Sequence, residues 1–294
     1  MRRRWTAVLG LVTSVALLAG CGQRGTDLSP AAATATRSTA TTPSVPSTTA
    51  PTSTAPSTTP PATTPTTTAP SPTPTPHVVV GLGDSVTSGY ACGCTDFVRL
   101  YATMLGARAG HPVRPVNLGV SGLTTTTLGT QLSAPQTTAA LSQADVVVVT
   151  IGANDLSPLV SQWQHGGCGT TCMQKASRDA GAGVAAALAR VRATTPAHAR
   201  ILVTTYWNVF EDGDVADADF GPGFAQWSDA VTRSANAAIR AAATADGDQV
   251  VDLYAPFEGD GDRNPTDLLA DDGDHPNAAG HRLIARTLLA ASTG

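Results

Sequence analysis

Val78-Val79-Val80-Gly81-Leu82-Gly83-Asp84-Ser85-Val86-Thr87-Ser88-Gly89-Tyr90 runs from an apolar stretch through a glycine-flanked turn into a helical pattern. Strand, tight turn and helix in that order is how an α/β protein brings a side chain to the carboxyl edge of its sheet. Gly81 and Gly83 permit the sharp turn and a close backbone approach to a ligand, which a Cβ hinders. The residue set at that edge is Ser85, a candidate nucleophile. Asp and Ser are also ordinary turn residues, so the chemistry has to be sought along the rest of the chain.

Working outward, continuous apolar runs at 77–82, 113–118, 145–151, 200–205 and 249–253 have the character of buried parallel strands, which do not alternate. Helical spacing separates them. Residues 96–109 place Phe97, Leu100, Tyr101, Met104 and Leu105 on one face, and 175–193, 224–243 and 277–291 repeat the pattern. Strands alternating with helices predict an α/β domain whose parallel sheet is covered on both faces. There is no internal repeat, and the alanine-rich helices signal close packing rather than a cofactor.

The chain has 294 residues, and its beginning is of another kind. Arg2-Arg3-Arg4, an apolar run from Ala7 to Leu18 and then Leu18-Ala19-Gly20-Cys21 make a secretory signal. A membrane-spanning helix would need about 20 apolar residues. The Leu-Ala-Gly-Cys ending is that of a lipoprotein signal, so 1–21 is read as the signal, with Cys21 lipidated. A plain secretory signal containing a cysteine is the alternative. Residues 22–76 are dominated by Thr, Ser, Pro and Ala. They offer too little apolar surface to offset ordering a backbone and are read as a disordered, proline-stiffened linker. Residues 77–294 remain as the folded domain. The expected location is outside the cytoplasm, on the outward face of a bacterial membrane, or free if Cys21 carries no lipid.

A net charge of −4 argues against nucleic acid as a partner. With lipid on Cys21, the cysteines left are Cys92, Cys94, Cys168 and Cys172, an even number in an exported domain, which favours two disulfides over a zinc site. Bridges between the loop carrying Cys92 and Cys94 and that carrying Cys168 and Cys172 are one pairing. Local 92–94 and 168–172 pairs are the other.

The polar residues gather where the strands end. Asn117-Leu118-Gly119 follows the second run, Gly152-Ala153-Asn154-Asp155 the third, and Asp272-Gly273-Asp274-His275 precedes the last helix. Together with Gly83-Asp84-Ser85 these four blocks resemble, in order and spacing, those of the SGNH (GDSL-type) hydrolases. The likeness extends over 77–294. It implies a three-layer α/β/α sandwich, flavodoxin-like, around a five-stranded parallel sheet. By block position, Ser85 resembles the nucleophile, Gly119 and Asn154 the oxyanion-hole members, and Asp272 and His275 the acid and base of a triad. The turn here reads Gly-Asp-Ser-Val rather than Gly-Asp-Ser-Leu, and a cysteine-bearing loop follows it.

Chemistry gives each residue a task. A serine hydroxyl needs a base within hydrogen-bond reach, and histidine suits that role. An aspartate three residues earlier can hold the other ring nitrogen and fix the tautomer. Asp271 and Asp274 compete for that position, and Asp272 is preferred on spacing alone. The plainer reading makes His275-Pro276-Asn277 a helix start capped by Asp274. An oxyanion needs donors already aimed at it, and the N–H groups of Ser85 and Gly119 with the Asn154 amide would supply three. Asp155 is read as the cap of the next helix, which frees Asn154, and Asp84 as a structural bonder in the turn. His281, on the last helix, reads as solvated, and no metal constellation or phosphate loop stands out. Tyr206-Trp207-Asn208-Val209-Phe210, with Phe220, Phe224 and Trp227, either walls an acyl or glycan pocket or packs a core.

These expectations converge on a surface-anchored serine esterase of the lipase type that works through an acyl-enzyme on Ser85. It would need no cofactor, act as a monomer, and take a small-molecule, glycan or lipid ester. A glycan O-acetyltransferase or deacetylase on the same site, and a non-catalytic binding module, are the rivals.

Overall fold

The computed structural model describes residues 75–292. The expected signal at 1–21 with Cys21, and all but the last two residues of the linker at 22–76, lie outside the described residues. Five parallel strands form one sheet: β1 (Val78–Gly83), β2 (Arg114–Asn117), β3 (Val146–Thr150), β4 (Arg200–Thr204) and β5 (Gln249–Val251). Their order is β2-β1-β3-β4-β5, the flavodoxin-like order. In register, Val79 faces Pro115 on one side and Val146 on the other.

The sheet centre follows from composition. Val79, Val80 and Leu82 of β1 and Val147, Val148 and Val149 of β3 are wholly buried, as strands covered on both faces must be. Each apolar run that was expected to be a strand contains one. The runs outlast the ladders, because Ile151 and Leu253 leave the sheet yet stay in the core. β2 departs from the expectation of burial. It is an edge strand, with Arg114 and Pro115 exposed, and an edge is where a proline, lacking an N–H, is tolerated.

Among the described residues ten α-helices lie between the strands and after the last of them. They are α1 (Ser85–Ser88), α2 (Phe97–Ala109), α3 (Thr125–Gln131), α4 (Pro135–Leu141), α5 (Pro158–Gln164), α6 (Thr170–Thr194), α7 (Gly213–Phe220), α8 (Phe224–Ala245), α9 (Tyr254–Glu258) and α10 (Ala278–Ala291). α2 and α10 pack together on one face, and α6 and α8 on the other. The second pair approaches closely: a Cβ added at Gly181 would come within 2.8 Å of Ala238 Cβ. This is the three-layer α/β/α sandwich, and it brings the loops after β1, β2 and β3 to one edge.

The cysteines are paired locally, Cys92 with Cys94 and Cys168 with Cys172, not between the two loops. The fold explains this. The first pair lies beside His281 of α10 on one face of the sheet, whereas Cys172 belongs to α6 on the other. Among the described residues no helix is long and apolar enough to cross a membrane.

Candidate active site

Ser85 is the first residue of α1, immediately past β1. Gly83, with φ of 141°, makes the turn, and a Cβ there would strike the Thr150 carbonyl. Asp84 caps the helix: Oδ1 accepts from Val86 N at 3.0 Å, and Oδ2 takes the Tyr206 hydroxyl in a short bond. Burial raises the Asp84 carboxyl to about 7, although these two bonds pull the other way. Asp84 is thus the structural bonder the sequence led us to expect.

The loop carrying Asp272 and His275 is held just as firmly. Asp272 Oδ1 accepts from Asp274 N at 3.1 Å and His275 N at 3.0 Å, while Oδ2 lies 2.8 Å from His275 Nδ1. Burial pushes the Asp272 carboxyl up, but these bonds outweigh it and leave it below the usual carboxylate range. With Asp272 ionised, Nδ1 carries the ring proton and Nε2 is left as the basic nitrogen. Asp274 stands 3.8 Å from Nδ1 and Asp271 is exposed, so geometry as well as spacing favours Asp272. Asp274 does not cap α10. Asn277 does, accepting from Ala279 N at 2.7 Å and Gly280 N at 3.1 Å. From outside the loop, Asp212 N donates to Gly273 O at 2.8 Å.

Tyr90 lies between the serine and the histidine. Its N–H donates to Ser85 O at 3.1 Å, and its ring meets His275 edge-on at 4.8 Å between centroids. The charges of Asp274 and His275 both reach the Asp84 carboxyl. Among the described residues Ser85 Oγ has no hydrogen-bond partner, so the structure brings Asp272 and His275 into contact and leaves the serine–histidine bond open. Such bonds commonly close only when substrate is bound.

The three expected oxyanion donors fare differently. Ser85 N–H, at the first position of α1, has no acceptor among the described residues. Asn154 Nδ2 donates to Leu123 O at 3.0 Å, which orients the amide and leaves its second hydrogen, and Asn154 lines the same cleft as Ser85. Gly119 N–H instead donates to Asn117 Oδ1 at 2.9 Å, while Asn117 Nδ2 donates to Thr87 O at 2.7 Å. Asn117 therefore brackets α1, a role not read from its sequence. Gly119 must be glycine, because a Cβ would collide with the backbone of Thr87 and Ser88. Asp155 caps no helix of its own. It accepts from Thr125 N at 2.9 Å and Thr125 Oγ1 at 2.6 Å, tying its loop to α3.

The cleft beside Ser85 measures about 160 Å³. Tyr206, Trp207 and Phe210 of the aromatic loop all line the cleft and pack into the core behind it. Tyr206 and Trp207 are buried, Trp207 stacked on Phe257 at 4.3 Å. Phe210 and Phe220 line the cleft and back onto Phe224, Trp227 and Trp163, the last overlooked in the sequence. His281 is wholly buried, not solvated: Phe97 N at the start of α2 donates to its Nδ1 at 3.2 Å, and burial lowers its pKa to about 4. Although it lies within 4.8 Å of the sulfurs of Cys92 and Cys94, those sulfurs are bonded to each other and offer no thiolate.

Burial carries a pH signature. The carboxyls of Asp84 and Glu258 stand at about 7 and 8 in the folded protein. In the unfolded chain they titrate near 4. Between those limits these carboxyls hold more protons in the folded state, so their contribution to stability falls as pH rises and the fall ends above about 8, while His281, held neutral in the fold, works against it only below about pH 6.5. The lowered values of Asp145, Asp252 and Asp272 matter only at more acid pH. Calorimetry should give a Tm at least about 4 °C lower at pH 8.5 than at pH 5.5, each kcal/mol being worth roughly 2–4 °C. A Tm that rises across this window contradicts the assignment.

The sequence profile of the GDSL-like Lipase/Acylhydrolase family matches residues 82–283. No curated protein sequence matches the chain. Among solved structures, the lipase Lip_vut3 from a goat rumen metagenome superposes with a TM-score of 0.62 at 21% identity, over 74% of this chain and 98% of the other. Axe2, an acetylxylan esterase from Geobacillus stearothermophilus, superposes with a TM-score of 0.52 at 21% identity, over 74% and 94%. At such identities the likeness shows the fold.

Proposed function

The chain belongs to the GDSL-like Lipase/Acylhydrolase family and is a carboxylic ester hydrolase; from that premise we propose a cell-surface serine esterase that works through an acyl-enzyme on Ser85. The observation that supports it best is the Asp272–His275 bond, which leaves Nε2 basic in a loop that Tyr90 joins to Ser85. Ser85 Oγ attacks the ester carbonyl as its proton passes to His275 Nε2. The tetrahedral oxyanion meets Ser85 N–H and Asn154 Nδ2, with Gly119 N–H as a third donor if it exchanges its bond to Asn117. The alcohol departs with the proton from Nε2. Water, deprotonated by the same nitrogen, then releases the acid. No step calls on a cofactor, and one copy of the chain carries every group.

The small cleft favours short or medium acyl groups. Screening p-nitrophenyl esters from acetyl to palmitoyl should put the highest kcat/KM at or below octanoyl. Turnover confined to long chains refutes the pocket reading, and no turnover of any ester refutes the function. A glycan deacetylase, as the name of Axe2 describes that protein, is the second reading, and a high acetyl preference on acetylated oligosaccharide would select it. Attachment through lipid on Cys21 belongs to the same proposal. It predicts that Cys21→Ala moves the protein from the membrane fraction to the medium or leaves an uncleaved precursor. Mature Cys21→Ala protein that stays membrane-bound disproves the anchor.

A further inference from the structure

The cleft beside Ser85 is a site on other grounds, since it holds the nucleophile and Asn154, and its lining has a distinct charge. Asp84, Glu211 and Asp274 line it, and among the described residues no lysine, arginine or histidine does. Asp84 spends its oxygens inside the protein, on Val86 N–H and the Tyr206 hydroxyl. Glu211 and Asp274 are left for a ligand. Glu211 shares a side-chain hydrogen bond with a second carboxyl, Asp219, and among the described residues its Oε2 has no donor from any other group. Among the described residues the ion-pair partner of Asp274 is the His275 ring, at 3.8 Å. Phe210 and Phe220 supply aromatic surface to the same cleft.

An anionic group entering this cleft meets two carboxylates. A cation meets two counter-charges and aromatic rings, an arrangement that attracts ammonium groups. We propose that the cleft selects substrates carrying a positively charged group, such as esters of an amino alcohol or amino acid, with Glu211 and Asp274 as the specificity-determining residues. The inference rests on the serine-hydrolase reading of Ser85. Desolvation, joined by neighbouring carboxylates, holds both groups above their usual range, Asp274 against the pull of His275. A cation lodged between them relieves that repulsion.

Two pairs of isosteric esters test this on the full chain, with the charge on either side of the ester. One is choline butyrate against 3,3-dimethylbutyl butyrate. The other is p-nitrophenyl 4-(trimethylammonio)butyrate against p-nitrophenyl 5,5-dimethylhexanoate. In at least one pair the cationic member should have a kcat/KM about tenfold higher. Glu211→Gln combined with Asp274→Asn should bring that ratio close to one. Equal rates in both wild-type pairs overturn the inference, as does a preference that survives both substitutions. Should no ester be turned over, it is the hydrolase reading that fails, and tryptophan fluorescence still reads the cleft through Trp207. A saturable change with choline but not with 3,3-dimethylbutanol, lost in Glu211→Gln, supports the inference; identical titrations refute it.

Discussion

Ser85→Ala should abolish ester turnover, by roughly 10⁴- to 10⁶-fold in kcat, and with it labelling by a fluorophosphonate probe. The size of the loss reflects a change of mechanism: without the hydroxyl no acyl-enzyme forms, and only donors and binding remain to help water attack. The variant should also fold normally. Because Ser85 Oγ has no hydrogen-bond partner among the described residues, removing it strands no buried group and costs little stability. Asp84, one residue earlier, provides the contrast. Its carboxylate holds both Val86 N–H and the Tyr206 hydroxyl, so Asp84→Ala should lose stability as well as activity. Ester hydrolysis that persists in folded Ser85→Ala protein, measured with probe labelling on the same sample, would falsify the acyl-enzyme.

Which parts of this arrangement were legible in the sequence depends on how local their causes are. β1, β3 and β4 were readable because a strand covered on both faces must be apolar throughout, and Val146–Thr150 is a plain instance. β2 was placed by Val113, Val116 and Leu118, since an edge strand has one paired side and tolerates Arg114 and Pro115. The short helices α3 and α4 were missed. Their threonines are poor helix formers, and α3 is held by a reciprocal cap between Thr124 and Thr127 that the apolar pattern does not signal.

The site divides in the same way. Asp272 and His275 are three residues apart in one tight turn, so sequence spacing almost fixes their contact. Gly119 and Asn117 are closer still, two residues apart, but their bond depends on where α1 lies, since Asn117 at the end of β2 also reaches Thr87 of that helix. Asp155 faced the same difficulty: its partner, Thr125, is thirty residues away along the chain. His281 looked like a surface residue of a terminal helix. It is buried because the first amide of α2 needs an acceptor, which only the packing of α10 on α2 reveals.

His275→Ala should be nearly as severe as Ser85→Ala, because the hydroxyl then has no base. The two losses should not add. Residues that act as one unit fail together, so Ser85→Ala combined with His275→Ala should be no slower than either alone. Lesser damage is expected further from the proton transfer. Asp272→Asn keeps the ring in place but turns the tautomer the wrong way, at a cost approaching 10⁴-fold in kcat. It also leaves His275 N and Asp274 N sharing a weaker acceptor. Asn154→Ala removes one oxyanion donor and the latch to Leu123 O, for roughly a 10²–10³-fold loss with probe labelling slowed but not abolished. Single-turnover kinetics on all five variants decides the matter. If His275→Ala retains more activity than Asn154→Ala, or if the double variant is a further thousandfold slower than Ser85→Ala, then Ser85 and His275 do not work as a pair and the open bond between them is a separation rather than a resting state.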